Sequence, residues 1–384
     1  MTRDRIARDV VARVRKAQIK RGAMVVVALL VAALLIAFLA AAGVISLPLT
    51  GLPMREDQLW ISQLTQADRL QELGYDGAGV TICLVDTGID LIHPDLAGVH
   101  IVAWRDFISG RALPYDDGGH GTAMAGLIVA DGRAKGLAPG ASLIVAKALR
   151  SNGTGSSDTI GEAIGFCVDP NGDGDAGDGA DIISLSLGAQ RTPFSTNAAS
   201  KAAEEATTKG VFVVSSAGND GREDDGDVGT PADTPLVIAV GSLNHQLEVA
   251  AFSSKGNNSP TMQNSRVDPN LKPEFTLPGV GLVTTAMGSS YTSMTGTSTS
   301  AALLSGLLAL LLQAHPSYAK VGAESVVQMK NILMLTSLPL EGQETPHDDW
   351  YGYGLIQVHE AHLILLSGNP TMLGPWEQVV SINQ

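Results

Sequence analysis

Three residues of this sequence could together activate a hydroxyl group for attack on a carbonyl carbon. Ser298 lies in a glycine-led turn, residues 296–302, directly before an apolar run from Leu303 to Leu312. A serine hydroxyl is a weak nucleophile until a base takes its proton, and that base must be oriented by a third group. Asp86 ends an apolar segment and His120 begins a segment of small residues. The chain therefore offers an aspartate, a histidine and a serine, in that order, for nucleophilic catalysis at Ser298.

Four short motifs carry these residues. They are VDTGID at Asp86, GHGTAMAG at His120, SSAGND at Asn219 and GTSTSAA at Ser298. In these motifs and in their order the chain resembles the subtilisin-like serine protease family, over roughly residues 75 to 365. The resemblance implies an α/β fold of three layers, with a mainly parallel central sheet flanked by helices.

The resemblance also implies a role for each motif residue in the hydrolysis of peptide bonds. Ser298 would be the nucleophile, His120 the general base and then acid, and Asp86 the group that orients His120. Asn219 would donate its side-chain amide to the oxyanion, together with the backbone N–H of Ser298. The predicted function is therefore a serine endopeptidase that acts through an acyl-enzyme and needs no cofactor for catalysis.

Polypeptide substrates are the predicted partners, and three segments are predicted to bind them. In the family such segments pair with an extended peptide as added strands. The predicted substrate-binding residues are Ser186, Leu187, Gly188, Gly153, Gly155, Ala217 and Gly218. Ordinary turns at strand ends are the alternative for any one of them.

Two other functions are compatible with part of the pattern. A catalytically silent module could use the same groove to hold peptides, but all four chemical positions are intact. A non-peptidase acyl hydrolase is the second alternative, but no Gly-x-Ser-x-Gly turn surrounds Ser298. Both are disfavoured relative to the endopeptidase.

The elements that must position these residues follow an alternating pattern. Short apolar runs rich in Val, Ile and Leu predict strands, and the segments between them predict helices, which together indicate a parallel sheet covered on both faces. The predicted strands are 80–85, 143–148, 182–187, 211–215 and 236–240, and the predicted helices are 120–130, 157–166 and 197–209. The run 301–312 is too short and interrupted for a membrane span, so we expect a buried helix there.

The first part of the chain predicts a membrane anchor. Residues 23–47 are almost wholly apolar and uncharged, and about 20 such residues span a bilayer as a helix. The arm before them, residues 1–22, is rich in Lys and Arg and is predicted to be cytoplasmic, which places the following domain outside the cytoplasm. A linker at 48–56 and a peptidase domain at 57–384 complete the predicted organisation. A cleaved signal peptide is the alternative to a retained anchor.

Charge excludes one class of partner. The net charge of −14 arises although the first 22 residues are basic, so the remainder is strongly acidic. An acidic domain repels phosphate backbones, and nucleic acid is therefore not expected as a partner.

One acidic loop resembles a calcium site. Its hard oxygen ligands stand at alternate positions between glycines: Asp169, Asn171, Asp173, Asp175 and Asp178. It lacks the final bidentate glutamate of an EF-hand, because Ala180 stands there. Structural calcium is the prediction and a solvated acidic turn is the alternative.

The two cysteines, Cys83 and Cys167, fall in apolar patterns and are predicted to be buried free thiols; a disulfide is the alternative outside the cytoplasm.

The motif at the nucleophile departs from the common family form at two positions. Thr299 stands where methionine is frequent, and Ala302 stands where proline usually follows alanine.

Too few residues separate the anchor from Asp86 for the usual folded propeptide, so residues 57–73 are predicted to belong to the domain.

Overall fold

The computed structural model describes residues 54–189, 197–221, 227–259, 266–344 and 346–368, with the backbone alone for residues 54–58. The predicted basic arm, membrane span and most of the linker lie outside these residues. The described helices are α1 (Met54–Leu64), α2 (Ala67–Glu72), α3 (His120–Val129), α4 (Ser157–Val168), α5 (Ala198–Thr208), α6 (Thr297–Ala314), α7 (Ala323–Thr336) and α8 (Val358–Ser367).

Seven described strands form one parallel sheet, in the order β2-β3-β1-β4-β5-β6-β7. They are β1 (Thr81–Asp86), β2 (Ile101–Asp106), β3 (Ser142–Lys147), β4 (Ile182–Leu185), β5 (Phe212–Ser216), β6 (Ile238–Leu243) and β7 (Phe275–Pro278). A separate antiparallel hairpin consists of β8 (Leu282–Ala286) and β9 (Ser290–Met294). The predicted α/β fold with a parallel sheet is confirmed.

Side chains alternate between the two faces of this sheet, as successive residues of a strand must. Ile82 and Leu84 of β1 join a core that includes helices α3 and α6. Cys83 and Val85 of the same strand join a second core with α4 and α5. Every residue of β1 after Thr81 is buried. The apolar runs in the sequence are therefore strands that are covered on both sides.

Helix α6 runs through the larger core and begins at the predicted nucleophile. Among the described residues it is the one helix long and apolar enough to cross a bilayer, yet 83% of it is buried inside the domain. The prediction of a buried helix at residues 301–312 is confirmed. A rigid, fully packed helix is a suitable support for a reacting group, because it restricts the position of its first turn.

The segment before the sheet belongs to this domain, as predicted. Ile61 of α1 and Leu70 of α2 are buried in the larger core. The backbone N–H of Val358 donates to Thr65, and the side chain of Gln71 donates to the carbonyl of Leu137. Helix α1 begins at Met54, within the range 48–56 that the sequence assigns to a linker.

The prediction of two free thiols is wrong, because Cys83 and Cys167 form a disulfide. Cys83 lies on the sheet face that α4 covers, and Cys167 lies in the last turn of that helix. Their Cα atoms are 5.6 Å apart, within the range that a disulfide spans. Apolar patterning predicted their burial correctly, but it could not show that both side chains point into the same core.

A buried cluster of charged side chains lies beside strands β6 and β7 of the sheet. The carboxylate of Glu274 accepts hydrogen bonds from Lys272 at 2.8 Å and from Lys330 at 2.7 Å, and all three side chains are fully buried. Its second oxygen accepts from the backbone N–H of Ala239. Burial lowers the pKa of Lys272 to about 7, although the charge of Glu274 raises it. One carboxylate therefore stabilises two ammonium groups.

Replacing Glu274 with glutamine is expected to lower the free energy of unfolding by about 3 to 5 kcal/mol, because two buried ammonium groups lose the charge that offsets them. Urea unfolding in a Ser298→Ala background would measure this without self-digestion. The control is Glu205→Gln, which breaks an exposed ion pair with Lys201 and is expected to change little. Equal stabilities for the two variants would contradict the prediction.

Candidate active site

Asp86 and His120 meet at the C-terminal edge of the sheet. Asp86 is the last residue of β1 and is fully buried, whereas the His120 side chain is 27% exposed. The Nδ1 atom of His120 lies 2.8 Å from Oδ1 and 2.9 Å from Oδ2 of Asp86. A carboxylate can only accept, so Nδ1 carries the hydrogen and Nε2 keeps a lone pair. The imidazole is thus held in the tautomer that a general base requires.

The loop before His120 is fixed by a second aspartate, Asp116. One of its oxygens accepts from the N–H groups of Gly118 and Gly119, and the other accepts from the N–H and hydroxyl of Thr122. Although burial raises the pKa of Asp116, these hydrogen bonds lower it below its ordinary value. Asp116 therefore remains charged and caps the start of α3, where negative charge is favourable.

Close packing between β1 and α3 sets the distance from Asp86 to His120. Gly121 follows His120, and a Cβ atom on it would lie 2.1 Å from the carbonyl oxygen of Gly88. The N–H of Gly121 donates to the hydroxyl of Thr87, the residue after Asp86. Only glycine permits this approach. The glycine after the histidine is therefore required by the short distance between the segments of Asp86 and His120.

The pKa of His120 is raised above its ordinary value of 6.5. Burial acts in the opposite direction and is the largest single influence, but the charge and hydrogen bond of Asp86, with the charge of Asp116, outweigh it. Since the neutral ring is the form that accepts a proton, activity is expected to be lost as the pH falls through this raised pKa.

Ser298 is the second residue of α6, where backbone N–H groups have no partner within the helix. Its hydroxyl donates to the carbonyl of Ser186 at 3.0 Å, and the Ser186 hydroxyl donates back to the carbonyl of Ser298 at 3.0 Å. No hydrogen bond joins Ser298 to His120 within the described part of the chain, but both side chains line one cavity. The Ser298 hydroxyl must therefore release the Ser186 carbonyl before it can donate its hydrogen to the imidazole.

Asn219 follows β5 and is held by the residue before the nucleophile. Its Oδ1 atom accepts from the N–H of Thr297 at 2.9 Å and from the Thr297 hydroxyl at 3.1 Å. The Thr297 hydroxyl in turn accepts from the N–H of Gly218. With the oxygen of the amide occupied, the NH₂ group is the part available to an oxyanion beside Ser298. Thr297 was not selected from the sequence, although it lies within the serine motif.

A cavity of about 890 Å³ surrounds Ser298 and His120. Six of the seven predicted substrate-binding residues line it: Ser186, Leu187, Gly188, Gly153, Gly155 and Gly218. Ala217 does not line it, because its side chain is fully buried with Val228, Ala232 and Ala239. The N–H of Ala217 donates to Val240 and so continues the parallel ladder, which turns the side chain away from the cavity. The position of the Ala217 side chain therefore gives no support to its predicted role in substrate binding.

Thr299 and Ala302, the two residues at which the serine motif departs from the common family form, lie within helix α6. Thr299 is buried, and its hydroxyl donates to the carbonyl of Gly296 at 2.7 Å. This bond satisfies a carbonyl group at the start of the turn. Ala302 is fully buried in the larger core. Neither side chain reaches the cavity lining.

The predicted calcium loop brings three of its five acidic or amide residues together. Carboxylate oxygens of Asp169, Asp173 and Asp178 lie within 4.8 Å of one another. Asn171 and Asp175 are outside this set, and their side-chain oxygens accept from the N–H groups of Asp173 and Gly177. Asp169 and Asp173 also accept hydrogen bonds from within the loop, from Gly172, Gly174, Asp175 and Asn171. The converging set consists of hard oxygen atoms, which are the ligands that calcium prefers.

Comparison with known proteins places these segments in one family. A sequence profile of the subtilase family matches residues 77–354, a range that contains all four motifs. The chain belongs to the subtilase family. It is 33% identical to subtilisin DY of Bacillus licheniformis over 302 residues, which cover 78% of this chain and 96% of that protein.

Two further subtilisins agree with this assignment. The chain is 32% identical over 306 residues to subtilisin of Bacillus pumilus, covering 78% of this chain and 97% of that protein. It is 32% identical to subtilisin E of Bacillus subtilis (strain 168), covering 78% of this chain and 70% of that one. This subtilase is therefore a subtilisin-type serine endopeptidase that hydrolyses peptide bonds in proteins.

Proposed function

We propose that Asp86, His120 and Ser298 are the catalytic triad of this endopeptidase. The observation that carries the proposal is the pair of short contacts from His120 Nδ1 to the two oxygens of the buried Asp86, at the edge of the cavity that Ser298 also lines. In its neutral form this imidazole carries its hydrogen on Nδ1 and can accept a proton at Nε2, and its side chain is 27% exposed.

The reaction follows from the roles of these groups. Ser298 Oγ turns from the Ser186 carbonyl to His120 Nε2, loses its proton there and attacks the scissile carbonyl carbon. The imidazolium is stabilised by Asp86 and then donates the proton to the leaving amine. Water then enters, loses a proton to the same imidazole and attacks the acyl-enzyme; the imidazolium returns that proton to Ser298 Oγ as the carboxylic acid leaves. The reaction uses groups of the chain and water alone.

Asn219 and the backbone N–H of Ser298 are proposed to stabilise the oxyanion. The Thr297 contacts orient the Asn219 amide before substrate arrives, so no energy is spent on reorientation during the reaction. Residues 186–188 and 151–155 line the cavity, and an extended peptide would pair with their backbones as an added strand.

A fluorophosphonate probe and a casein substrate test the proposed site. Labelling at Ser298 together with proteolysis is the expected result. Labelling with ester cleavage alone would instead indicate an acyl hydrolase, and a folded protein that is not labelled would indicate a peptide-binding module. Peptide mapping of the labelled protein identifies the residue that carries the probe.

We further propose that residues 23–47 anchor the enzyme in a membrane, with the basic arm in the cytoplasm and the peptidase domain outside it. The apolar length and the Lys and Arg residues before it support this arrangement. The disulfide supports it independently, since disulfides persist mainly in oxidising compartments.

Cell fractionation followed by N-terminal sequencing tests the anchor. The expected result is activity in the membrane fraction, with an intact N-terminus and a domain that added protease can reach from outside. A released protein that begins after residue 42 would instead identify a cleaved signal peptide.

We also propose that Asp169, Asp173 and Asp178 hold a structural calcium ion. The ion would crosslink the loop between α4 and β4, and it would take no part in the chemistry. Calcium is expected to raise the melting temperature of the Ser298→Ala protein, and a chelator is expected to reverse this. In Asp173→Asn the response should be weaker. A melting temperature that is indifferent to both calcium and chelator would refute the site.

A further inference from the structure

Lys147 is a fully buried lysine at the edge of the sheet that carries the active site. It is the last residue of β3, paired in register with Asp86 of β1 on one side and Asp106 of β2 on the other. An ammonium group in such a position is costly to bury unless each of its hydrogens has a partner. The hydrogen-bond partners of the Lys147 ammonium group therefore show how its burial is stabilised.

All three hydrogens of this ammonium group are used. Nζ donates to the carbonyl of Thr87 at 2.6 Å, to the carboxylate of Asp117 at 2.6 Å and to the carbonyl of Leu149 at 3.0 Å. It also lies 5.0 Å from the centre of the Tyr115 ring, in a cation–π arrangement. The charge is thus surrounded by groups from three separate loops.

Each of these loops carries a different part of the site. Thr87 follows Asp86, and its N–H donates to the Asp86 carboxylate. Asp117 lies three residues before His120. Leu149 lines the substrate cavity and leads into the rim at residues 151–155.

We propose that Lys147 is a positioning residue for the catalytic groups: its ammonium joins the loop of Asp86, the loop of His120 and the rim of the substrate cavity. This inference rests on the proposed triad. Lys147 is not among the residues that line the cavity, and it acts through Thr87, Asp117 and Leu149.

A purely structural role explains the arrangement less well. A buried ion pair generally contributes little net stability, and an apolar side chain of similar size often serves as well. A displacement of about 1 Å between reacting groups, in contrast, can lower turnover by about 100-fold. A side chain that joins the segments next to two triad members therefore has its main effect on catalytic geometry.

The test compares Lys147→Met with Lys330→Met in the full chain. Lys330 is equally buried, but it belongs to the distant Glu274 cluster. Fluorophosphonate titration gives two numbers for each protein: the fraction of sites labelled and the labelling rate per site. For Lys147→Met we expect the rate per site and kcat to fall together by about 100-fold, with a much smaller change in KM. Lys330→Met should keep the wild-type rate per site.

A merely structural role would change the labelled fraction and leave the rate per site unchanged, and that result would overturn the proposal. If Lys147→Met does not fold, Asp117→Asn decides, because the Asp117 side chain is 46% exposed and its replacement should be tolerated. We expect its labelling rate to fall by about 10-fold; a wild-type rate would overturn the proposal. Failure of the wild-type protein to label at Ser298 would refute the triad instead.

Discussion

Replacing Ser298 with alanine is expected to lower kcat by about 10⁶-fold, the loss that removal of the same serine causes in subtilisin. The variant retains His120, Asp86 and the oxyanion donors, but no atom remains that can form the acyl-enzyme. Residual turnover should then come only from water attacking a bound and polarised carbonyl group.

The measurement is turnover of a chromogenic peptide, with titration of active sites to exclude wild-type contamination. Ser293→Ala is the matched control, since Ser293 is an exposed serine on the nearby hairpin strand β9. It should retain full activity and full labelling. Turnover of Ser298→Ala within about 10-fold of wild type would exclude Ser298 as the nucleophile.

Replacing Asp86 with asparagine is expected to lower kcat by about 10⁴-fold. The change preserves size but removes the charge beside His120 Nδ1. An asparagine amide can also present its NH₂ group to Nδ1, which would favour the tautomer with its hydrogen on Nε2. The serine proton would then have no acceptor.

The pH profile gives a second readout of the same variant. In the wild type the pKa of His120 is raised, so kcat/KM should fall on the acid side with a midpoint above 6.5. Without the charge and hydrogen bond of Asp86, burial dominates and the midpoint should move to lower pH. Asp131→Asn, an exposed change, is the control and should leave rate and midpoint unaltered. A midpoint that stays in place in Asp86→Asn would show that this carboxylate does not set the His120 pKa.

The sequence was most informative about the motifs at Asp86, His120 and Ser298 and about the strands of the parallel sheet. An aspartate at the end of an apolar strand, a histidine at the start of a small-residue helix and a glycine-led serine turn are each a modest signal alone, and their combination in this order is specific. The parallel strands were equally recognisable, because burial on both faces requires unbroken apolar runs.

Three of the missed strands, β2, β8 and β9, lack that signal, whereas β7 was missed although all four of its residues are buried. Strand β2 lies at the edge of the sheet and includes the exposed Val102 and Arg105, so its pattern is not that of a covered strand. The hairpin β8–β9 is polar along β9 and packs through only part of its surface.

Contacts between segments that are distant in the sequence also could not be predicted from the sequence. Lys147 is a single charge at the end of an apolar run, and nothing nearby in the sequence indicates that Asp117 and Thr87 will surround it. The burial of Ala217 and the pairing of Cys83 with Cys167 depend on which face a side chain occupies, which changes with a shift of one residue.

The disulfide has a further consequence for a protease that meets other copies of itself. Cys83 and Cys167 are 84 residues apart, and the segment between them contains Asp86, His120 and exposed stretches such as the one around Leu113, whose side chain is 77% exposed. Autolysis at such a stretch would cut the backbone without releasing a fragment, because both pieces remain linked through sulfur. Nicked molecules should therefore migrate as one band without reductant and as two bands with it.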